Sequence, residues 1–509
     1  MNCKNFFWSV AFLLLGTHLY AQPTFIKDSL ETYIRQGMKD YDIPGLSIAI
    51  IKDGKTVMLR GFGVKDIKSN EPVDENTLFF IASNTKLFTG TALAQLETNK
   101  KLSLNDKITK YFPWYKLFDS SSTNLVTIRD LLSHRIGTKT FQNDFTFWDT
   151  KYKRKEIMEK MATMKPIGLF RQNYGYCNSC FLTAGEIIPQ VTGKPWEVYV
   201  YDSIIAPLGM TQTQVLGTNA ARMQNIAKPY TILYNAELTE LPYDNVDNIA
   251  PAASIVSNAT DMSKWIQMQL DSGFYNGKRI LNWSVLQKTR DINIATSSRK
   301  SSIYPVHFKG YGLGVFMSDY NGRQIFYHTG GACGFVTNTC FVPEEKLGIV
   351  ILTNQDGQNF FESLRYQILD AYLENPKFTN WERFGLGDYQ KEKKEARLQL
   401  DSLAKRKEAG KKPNLSIDQY VGTYKNDIYG VIEMSKSSDN QLFVDFKSHQ
   451  NLSATLTYLD NDEWELRYSH ISFGLFKSKF DIKNKSIEGI SIKCADFIEY
   501  DPYYFTKSK

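Results

Sequence analysis

Within residues 80–97, FIASNTKLFTGTALAQLE, a serine precedes a lysine by three positions at the start of an apolar-periodic run. A serine hydroxyl is a weak nucleophile at neutral pH and needs an adjacent base. Residues three apart on a helix share a face, so Lys86 can place its amine beside Ser83. Near a helix N-terminus, and near any second cation, that amine is pushed toward the neutral form that accepts a proton. The same helix end leaves backbone N–H groups free, and the amide of Ser83 is a candidate donor to an oxyanion. Ser-x-x-Lys is a weak signal by itself, because serine is also a preferred helix cap.

Two further constellations supply the missing parts. Tyr176-Cys177-Asn178 offers a phenol and a carboxamide two positions apart, on one side of an extended segment ahead of a helix expected from Phe181. The tyrosine can relay a proton between nucleophile and leaving group; the asparagine can hold the lysine and a substrate amide. His328-Thr329-Gly330-Gly331 ends an apolar strand, where paired glycines let a substrate approach the edge. Gly331 there offers a second oxyanion amide, and His328 a charge or a proton opposite Lys86.

These side chains need a scaffold. Residues 24–42 carry Ile26, Leu30, Tyr33, Ile34 and Met38 at helical spacing. Residues 43–63, IPGLSIAIIKDGKTVMLRGFG, read as two strands around Asp53-Gly54. A helix-rich middle runs to about residue 240, with a further helix at 262–270. Strands RQIFYHTGG (323–331) and CGFVTNTCFVPEEKLGIVILTN (333–354, a hairpin) follow, then the helix FFESLRYQILDAYLE (360–374). Strands open and close the region and helices fill it. That is an α+β plan: one antiparallel sheet flanked by helices, with an all-helical insertion, over 22–380.

Beyond it the texture changes. Residues 390–413 hold nine Lys/Arg against four Asp/Glu, most of the chain's net +7. The segment 381–413 reads as a charged, solvated helical linker, which removes nucleic acid from the expected partners. From Tyr420 to Phe505, short alternating runs are separated by turns such as Asp460-Asn461-Asp462. They predict a small all-β barrel over 414–509. At the other end, Lys4, an apolar run at 6–15 and a small residue at Ala21 mark 1–21 as a cleaved signal peptide. The run is too short to span a bilayer and no other stretch is long enough. The mature chain is therefore expected to be exported, periplasmic or extracellular, without a membrane span. With 42% hydrophobic and 14% aromatic residues over 509, it is expected to fold as two or three globular domains.

Past Cys3, five cysteines (177, 180, 333, 340 and 494) are too irregular for a disulfide scaffold. One bridge, 177–180 or 333–340, is left open. No second Cys-x-x-Cys and no nearby histidine completes a zinc site, so neither metal nor cofactor is expected.

Taken together, Ser83-Asn84-Thr85-Lys86, Tyr176-Cys177-Asn178 and His328-Thr329-Gly330 resemble the Ser-x-x-Lys, Tyr-x-Asn and (Lys/His)-Thr-Gly set of the serine β-lactamase and penicillin-binding protein superfamily. The branch is that of class C β-lactamases, D-Ala-D-Ala carboxypeptidases, D-aminopeptidases and related esterases. LLSHRIG (131–137), PAASIVSNATDMSKW (251–265) and GYGLGV (310–315) resemble further family segments, so the likeness covers roughly 25–375. It implies Ser83 as nucleophile, Lys86 as base and Tyr176 as proton relay. Asn178 would bind substrate, with His328, Thr329, Gly330 and Gly331 on the substrate and oxyanion side.

The implied activity is an exported serine hydrolase that forms an acyl-enzyme on small amides or esters. D-amino-acid-containing peptides or peptidoglycan fragments come first, with β-lactamase or carboxylesterase action as alternatives. Three departures bear on the substrate. His328 stands where class C β-lactamases carry lysine, Cys177 replaces a common serine, and Arg135-Ile136 replace Thr-Ser, the last two being expected to alter the pocket wall. The C-terminal barrel, opening with IDQYVGTYKN (417–426), resembles the lipocalin-like domain appended to such hydrolases, and is the candidate for homo-oligomeric assembly. Three competing readings remain: a nucleophile elbow at Ser47 in GLSIA, a non-catalytic penicillin or muropeptide receptor, and a scaffold led by the barrel.

Overall fold

The computed structural model describes residues 22–375, 379–438 and 440–508; the expected leader at 1–21 lies outside them. Helix α1 (Leu30–Asp40) extends a wider turn at Phe25–Ser29. Ile26, Leu30, Ile34 and Met38 are buried along one face of it. Strands β1 (Gly45–Lys52) and β2 (Lys55–Asp66) form a hairpin. Its turn residues Asp53 and Gly54 both have positive φ, 52° and 72°, which a tight two-residue turn demands and Asp-Gly supplies.

β1 is buried almost throughout. Leu46, Ile48 and Ile50 join one core with α1, while Ala49 and Ile51 join a second core. Side chains alternate across a strand, so a strand covered on both faces reads as a continuous apolar run. The second cover is the helical insertion between the edge strands β3 (Glu71–Pro72) and β4 (Ile294–Ser297). It carries α2 (Thr85–Thr98), α3 (Asn178–Gly185) and α4 (Ala259–Leu270). The remaining strands are β5 (Lys309–Tyr311), β6 (Phe316–Tyr320), β7 (Arg323–Ala332), β8 (Phe335–Val342) and β9 (Leu347–Thr353). They complete an antiparallel sheet in the order β4-β5-β6-β7-β8-β9-β1-β2-β3. Helix α5 (Phe360–Tyr372) joins α1 over the outer face.

The basic linker is a single helix, α6 (Trp381–Glu408), exposed along most of its length as its charge suggests but anchored at both ends. Trp381 Nε1 donates to Asp370 at 2.7 Å and Tyr389 Oη to Asp42 at 2.7 Å, fixing one end to the sheet domain. At the other end Arg406 pairs with Asp460 and Glu463, and Lys407 with Glu465 at 2.9 Å. Leu403 packs on Leu459 and Leu475. Charge counting could not foresee this, because the acidic partners lie on elements far away in sequence.

Beyond α6 an eight-stranded barrel closes on itself: β10 (Gly422–Asn426), β11 (Gly430–Ser438), β12 (Gln441–Phe446), β13 (Ser453–Asp460), β14 (Glu463–Tyr468), β15 (Leu475–Lys483), β16 (Ser486–Ile492) and β17 (Tyr503–Lys507). Pairing of Tyr424 with Lys507 shuts the seam between first and last strands. Closure leaves no unpaired edge. Inward residues such as Leu442, Val444 and Phe446 alternate with outward ones, and the rings of Trp464, Tyr420 and Phe480 meet tilted or edge-on in the interior.

Neither cysteine pair left open by the sequence is bridged; the five described cysteines are free and buried. Cys333 lies in the β7–β8 turn, while Cys340 pairs with Tyr327 well along β8. Seven residues of strand at about 3.3 Å each exceed the reach of a disulfide.

Candidate active site

Ser83 sits in a 3-10 turn, Ala82–Asn84, that leads into α2. The residue before it, Ala82, has φ 46°. The left-handed region costs a residue with a Cβ roughly 1–2 kcal/mol, so the surroundings must impose it. Ile81 supplies the anchor: its N–H donates to Ile255 O at 3.0 Å, and its carbonyl accepts from Asn84 N at 3.0 Å and Thr337 Oγ1 at 3.1 Å. A Cβ on Gly330 would stand 2.0 Å from the same carbonyl oxygen. Glycine there lets β7 close onto the Ser83 turn.

Ser83 does not cap α2. Lys86 Nζ, fully buried, reaches Ser83 Oγ at 3.1 Å, Asn178 Oδ1 at 2.7 Å and Ala252 O at 2.9 Å. It also lies over the Tyr176 ring, 4.7 Å from the centroid. Burial pushes the amine down from 10.5 to about 7, against the opposing pull of Asp144 and Cys177. An ammonium has three protons for these three acceptors. On losing one, the amine turns a lone pair toward Ser83.

The segment after it is set differently from the sequence expectation. α3 starts at Asn178, three residues before Phe181, with Cys177 as its cap: Cys177 Sγ accepts from Cys180 N at 3.3 Å. Cysteine is not among the usual capping residues, so this start carried no signal. Cys177 thus caps its own helix while lying close to Lys86 and Asp144. Asn178 donates Nδ2 to Asp144 Oδ2 at 2.6 Å while offering Oδ1 to Lys86. Tyr176 Oη faces Ser83 but has no partner at ordinary hydrogen-bond geometry among the described residues. Burial pushes this phenol well up, keeping it protonated.

His328, on β7, is held toward its neutral form, which disfavours the first of the two roles open to it, a charge or a proton. Burial foremost, then Lys86, pushes it down to about 3. Its Nδ1 lies 2.8 Å from Thr329 O and its Nε2 3.1 Å from Tyr311 Oη. The arrangement fits an Nδ1–H donor with Nε2 accepting from the phenol. Thr329 Oγ1 accepts from Asn338 Nδ2 at 3.0 Å. The Cβ position of Gly331 meets nothing within 4 Å, so this face of the strand end is open to a ligand.

Three further residues complete the site: His134 and Tyr311 lie in the family-like segments 131–137 and 310–315, and Asp144 in no motif. His134 accepts the Cys177 N–H on Nδ1 at 3.0 Å and stacks 4.3 Å from the Tyr176 ring, holding that segment in place. Tyr311 bonds His328 as described. Asp144 grips Asn178 from a loop on which nothing in the sequence spoke of chemistry. Arg135, expected to line the pocket, is instead taken up by Asp130 Oδ1 at 2.7 Å and Asn293 O at 2.9 Å. Ser47, the alternative nucleophile, is buried within β1 and donates to Asp74 O at 3.2 Å.

Comparisons with known proteins agree with this architecture. Residues 30–373 match the β-lactamase family, and residues 406–507 match a domain family of unknown function, DUF3471. Protein flp of Staphylococcus aureus (strain COL) is 26% identical over 355 residues, 68% of this chain and 67% of that protein. Unguisins hydrolase ungD' of Aspergillus campestris is 25% identical over 446 residues, covering 84% and 81%. The octameric penicillin-binding protein homologue from Pyrococcus abyssi superposes with TM-score 0.60 at 22% identity, across 94% of this chain and 99% of its own. With two thirds of its length matched and the Ser83–Lys86 pair set in the fold described, the chain belongs to the β-lactamase family.

Proposed function

We propose that this protein is a serine hydrolase that acylates Ser83 and passes the acyl group to water. The carrying observation is the buried Lys86 amine, 3.1 Å from Ser83 Oγ and titrating near 7. Neutral Lys86 takes the Oγ proton as Oγ adds to the substrate carbonyl carbon. The amides of Ser83 and Gly331 are the donors assigned to the resulting oxyanion. When the tetrahedral adduct collapses, the leaving amine or alkoxide takes a proton from Tyr176, which recovers one from the Lys86 ammonium. Water then adds to the acyl-enzyme by the same route in reverse, restoring Ser83 and releasing the acid. Asn178 and the open edge of β7 receive the substrate's amide.

For substrate we propose small D-amino-acid-containing peptides or peptidoglycan fragments, met after export by the leader at 1–21. A neutral His328 puts no fixed cation on the β7 wall. This favours aminopeptidase or carboxylesterase action over a β-lactamase or carboxypeptidase, whose substrates bring a carboxylate. The relative named a hydrolase supports turnover over a silent receptor. The octameric neighbour motivates measuring assembly by light scattering.

The test is incubation of the mature protein with a fluorophosphonate and, separately, a fluorescent penicillin, with adducts located by mass spectrometry. Fluorophosphonate labelling of Ser83, lost in Ser83→Ala, is expected. Absence of any Ser83 adduct from either probe in folded protein refutes the proposal in favour of a receptor.

A further inference from the structure

The loop that carries Asp144 is held from two sides. Toward the site, Asp144 Oδ2 accepts from Asn178 Nδ2 at 2.6 Å, and Asn178 Oδ1 is 2.7 Å from Lys86 Nζ. On the other side the next residue leaves the sheet domain altogether. The Phe145 ring enters the mouth of the barrel, where its centroid lies 5.4 Å from Tyr503, 4.6 Å from His449 and 5.8 Å from Phe446. Its backbone is tied there as well. Phe145 O accepts from His449 Nε2 at 3.1 Å, and Phe145 N donates to Glu499 Oε2 at 3.4 Å. Tyr429 Oη, on the barrel, bonds both Glu499 Oε1 at 2.8 Å and Asn143 Oδ1 at 3.1 Å. Asn143 takes a left-handed φ of 69° to make the turn. The barrel mouth, where a free-standing barrel of this type admits a ligand, is filled by a side chain of the catalytic domain.

We propose that the C-terminal barrel is part of the catalytic apparatus: by gripping Phe145 it fixes Asp144 against Asn178, and Asp144 is a positioning residue for the Lys86 base. Two adjacent residues carry the link, so it needs no long chain of contacts. Asn178 has two ends, and only an anchored Nδ2 keeps Oδ1 aimed at the amine. Burial pushes the Asp144 carboxyl well up, which weakens its pull on the Lys86 ammonium while it still accepts from Asn178. The proposal rests on the reading of Ser83 and Lys86 as nucleophile and base.

The test uses the full chain and the rate constant for fluorophosphonate labelling of Ser83 between pH 5 and 9. The groups facing Lys86 are Asp144, Cys177, Tyr176, His134 and His328; those facing Asp144 are Cys177, Cys180, Tyr176, Glu499 and Lys86. Asp144→Ala and Phe145→Ala are each expected to slow labelling roughly 10- to 100-fold, the scale of a misplaced catalytic group. Each should also move the rising limb of the pH profile to lower pH, because an ammonium that loses Asn178 Oδ1 is less favoured. The double variant should be no slower than the slower single one, since both break one linkage. Asp144→Asn, which keeps an acceptor for Asn178, should recover most of the loss in Asp144→Ala. Phe145→Leu serves the same test if Phe145→Ala does not fold. Multiplying losses in the double variant, or an unmoved limb in Phe145→Ala or Phe145→Leu, overturns the proposal. A wild-type chain that is not labelled at Ser83 overturns the underlying reading instead.

Discussion

Ser83 acylation is expected to rise with pH through a single limb centred near 7. Lys86 is held down to about 7 by burial, and the active form is the neutral amine. At pH 8 about nine tenths of the amine is then neutral, and at pH 5 about one hundredth, so acylation should fall about 100-fold between them. A lysine left at its ordinary 10.5 would give no plateau below pH 9. His328, at about 3, and His134, pushed well down by burial, cannot produce the limb. Glu499 and Asp356, both pushed up by burial to about 7, can. Stopped-flow labelling with a fluorophosphonate reads the rate at each pH. Replacing Lys86 by γ-thialysine, a less basic amine of similar shape, must then move the limb to lower pH. A limb that stays in place assigns it to one of the carboxyls and refutes Lys86 as the base; so does a Lys86→Arg variant that keeps more than a tenth of the rate.

Tyr176→Phe should slow hydrolysis of an unactivated amide roughly 10²- to 10⁴-fold, the usual worth of a positioned proton donor, with a smaller effect on fluorophosphonate labelling, whose leaving group needs no proton; equal losses in steady-state and labelling assays would refute the relay. Gly330→Ala places a methyl 2.0 Å from Ile81 O, so calorimetry should show a loss of about 1–3 kcal/mol, the range for overpacking, and labelling should slow as β7 lifts from the Ser83 turn. Ala82→Gly relieves the left-handed strain at φ 46°, so stability should hold or rise by up to about 1 kcal/mol while labelling slows as the turn loosens; a clear drop in Tm would show that Ala82 is not strained.

How much of this was legible follows from where each signal lives. Ser83 and Lys86 share one helical turn, and His328 to Gly331 share one strand end, so residue types at short spacing announced them. β1 and β9 were legible because burial on both faces leaves an unbroken apolar run. Asp144 was not, and of His134 and Tyr311 only the surrounding segments were, because each earns its place through a partner far away in sequence: Asn178, Cys177 and His328. The end anchors of α6 were hidden for the same reason, since Asp42, Asp460 and Glu463 lie on other elements. His328 differs in another way. Its identity left a charge or a proton open, because ionisation depends on enclosure, and enclosure is a property of the fold.

That enclosure has a thermodynamic consequence which can be measured apart from catalysis. Around Lys86, the acid Asp144 and the phenol Tyr176 are pushed up, and the bases His134 and His328 are pushed down, in each case chiefly by burial. Burial outweighs the opposing pull of Asp144 and of Cys177, whose own thiol is pushed down, so the charged form of Lys86 bears the cost. Because its folded value of about 7 lies below 10.5, the unfolded chain binds a proton that the native chain lacks throughout that window. Stability from this group therefore rises with pH between 7 and 10.5 and is flat below 7. The full shift bounds the effect at about 5 kcal/mol. Lys86→Met removes the titration while keeping an unbranched chain. Other groups titrate alike in both proteins, so the difference in unfolding free energy isolates Lys86. The variant's stability relative to wild type should be greatest near pH 6 and fall by several kcal/mol, within that bound, toward pH 10. A difference that stays flat from pH 6 to 10 would mean that Lys86 keeps an ordinary pKa in the folded protein, and the case for it as the base at neutral pH would fall with it.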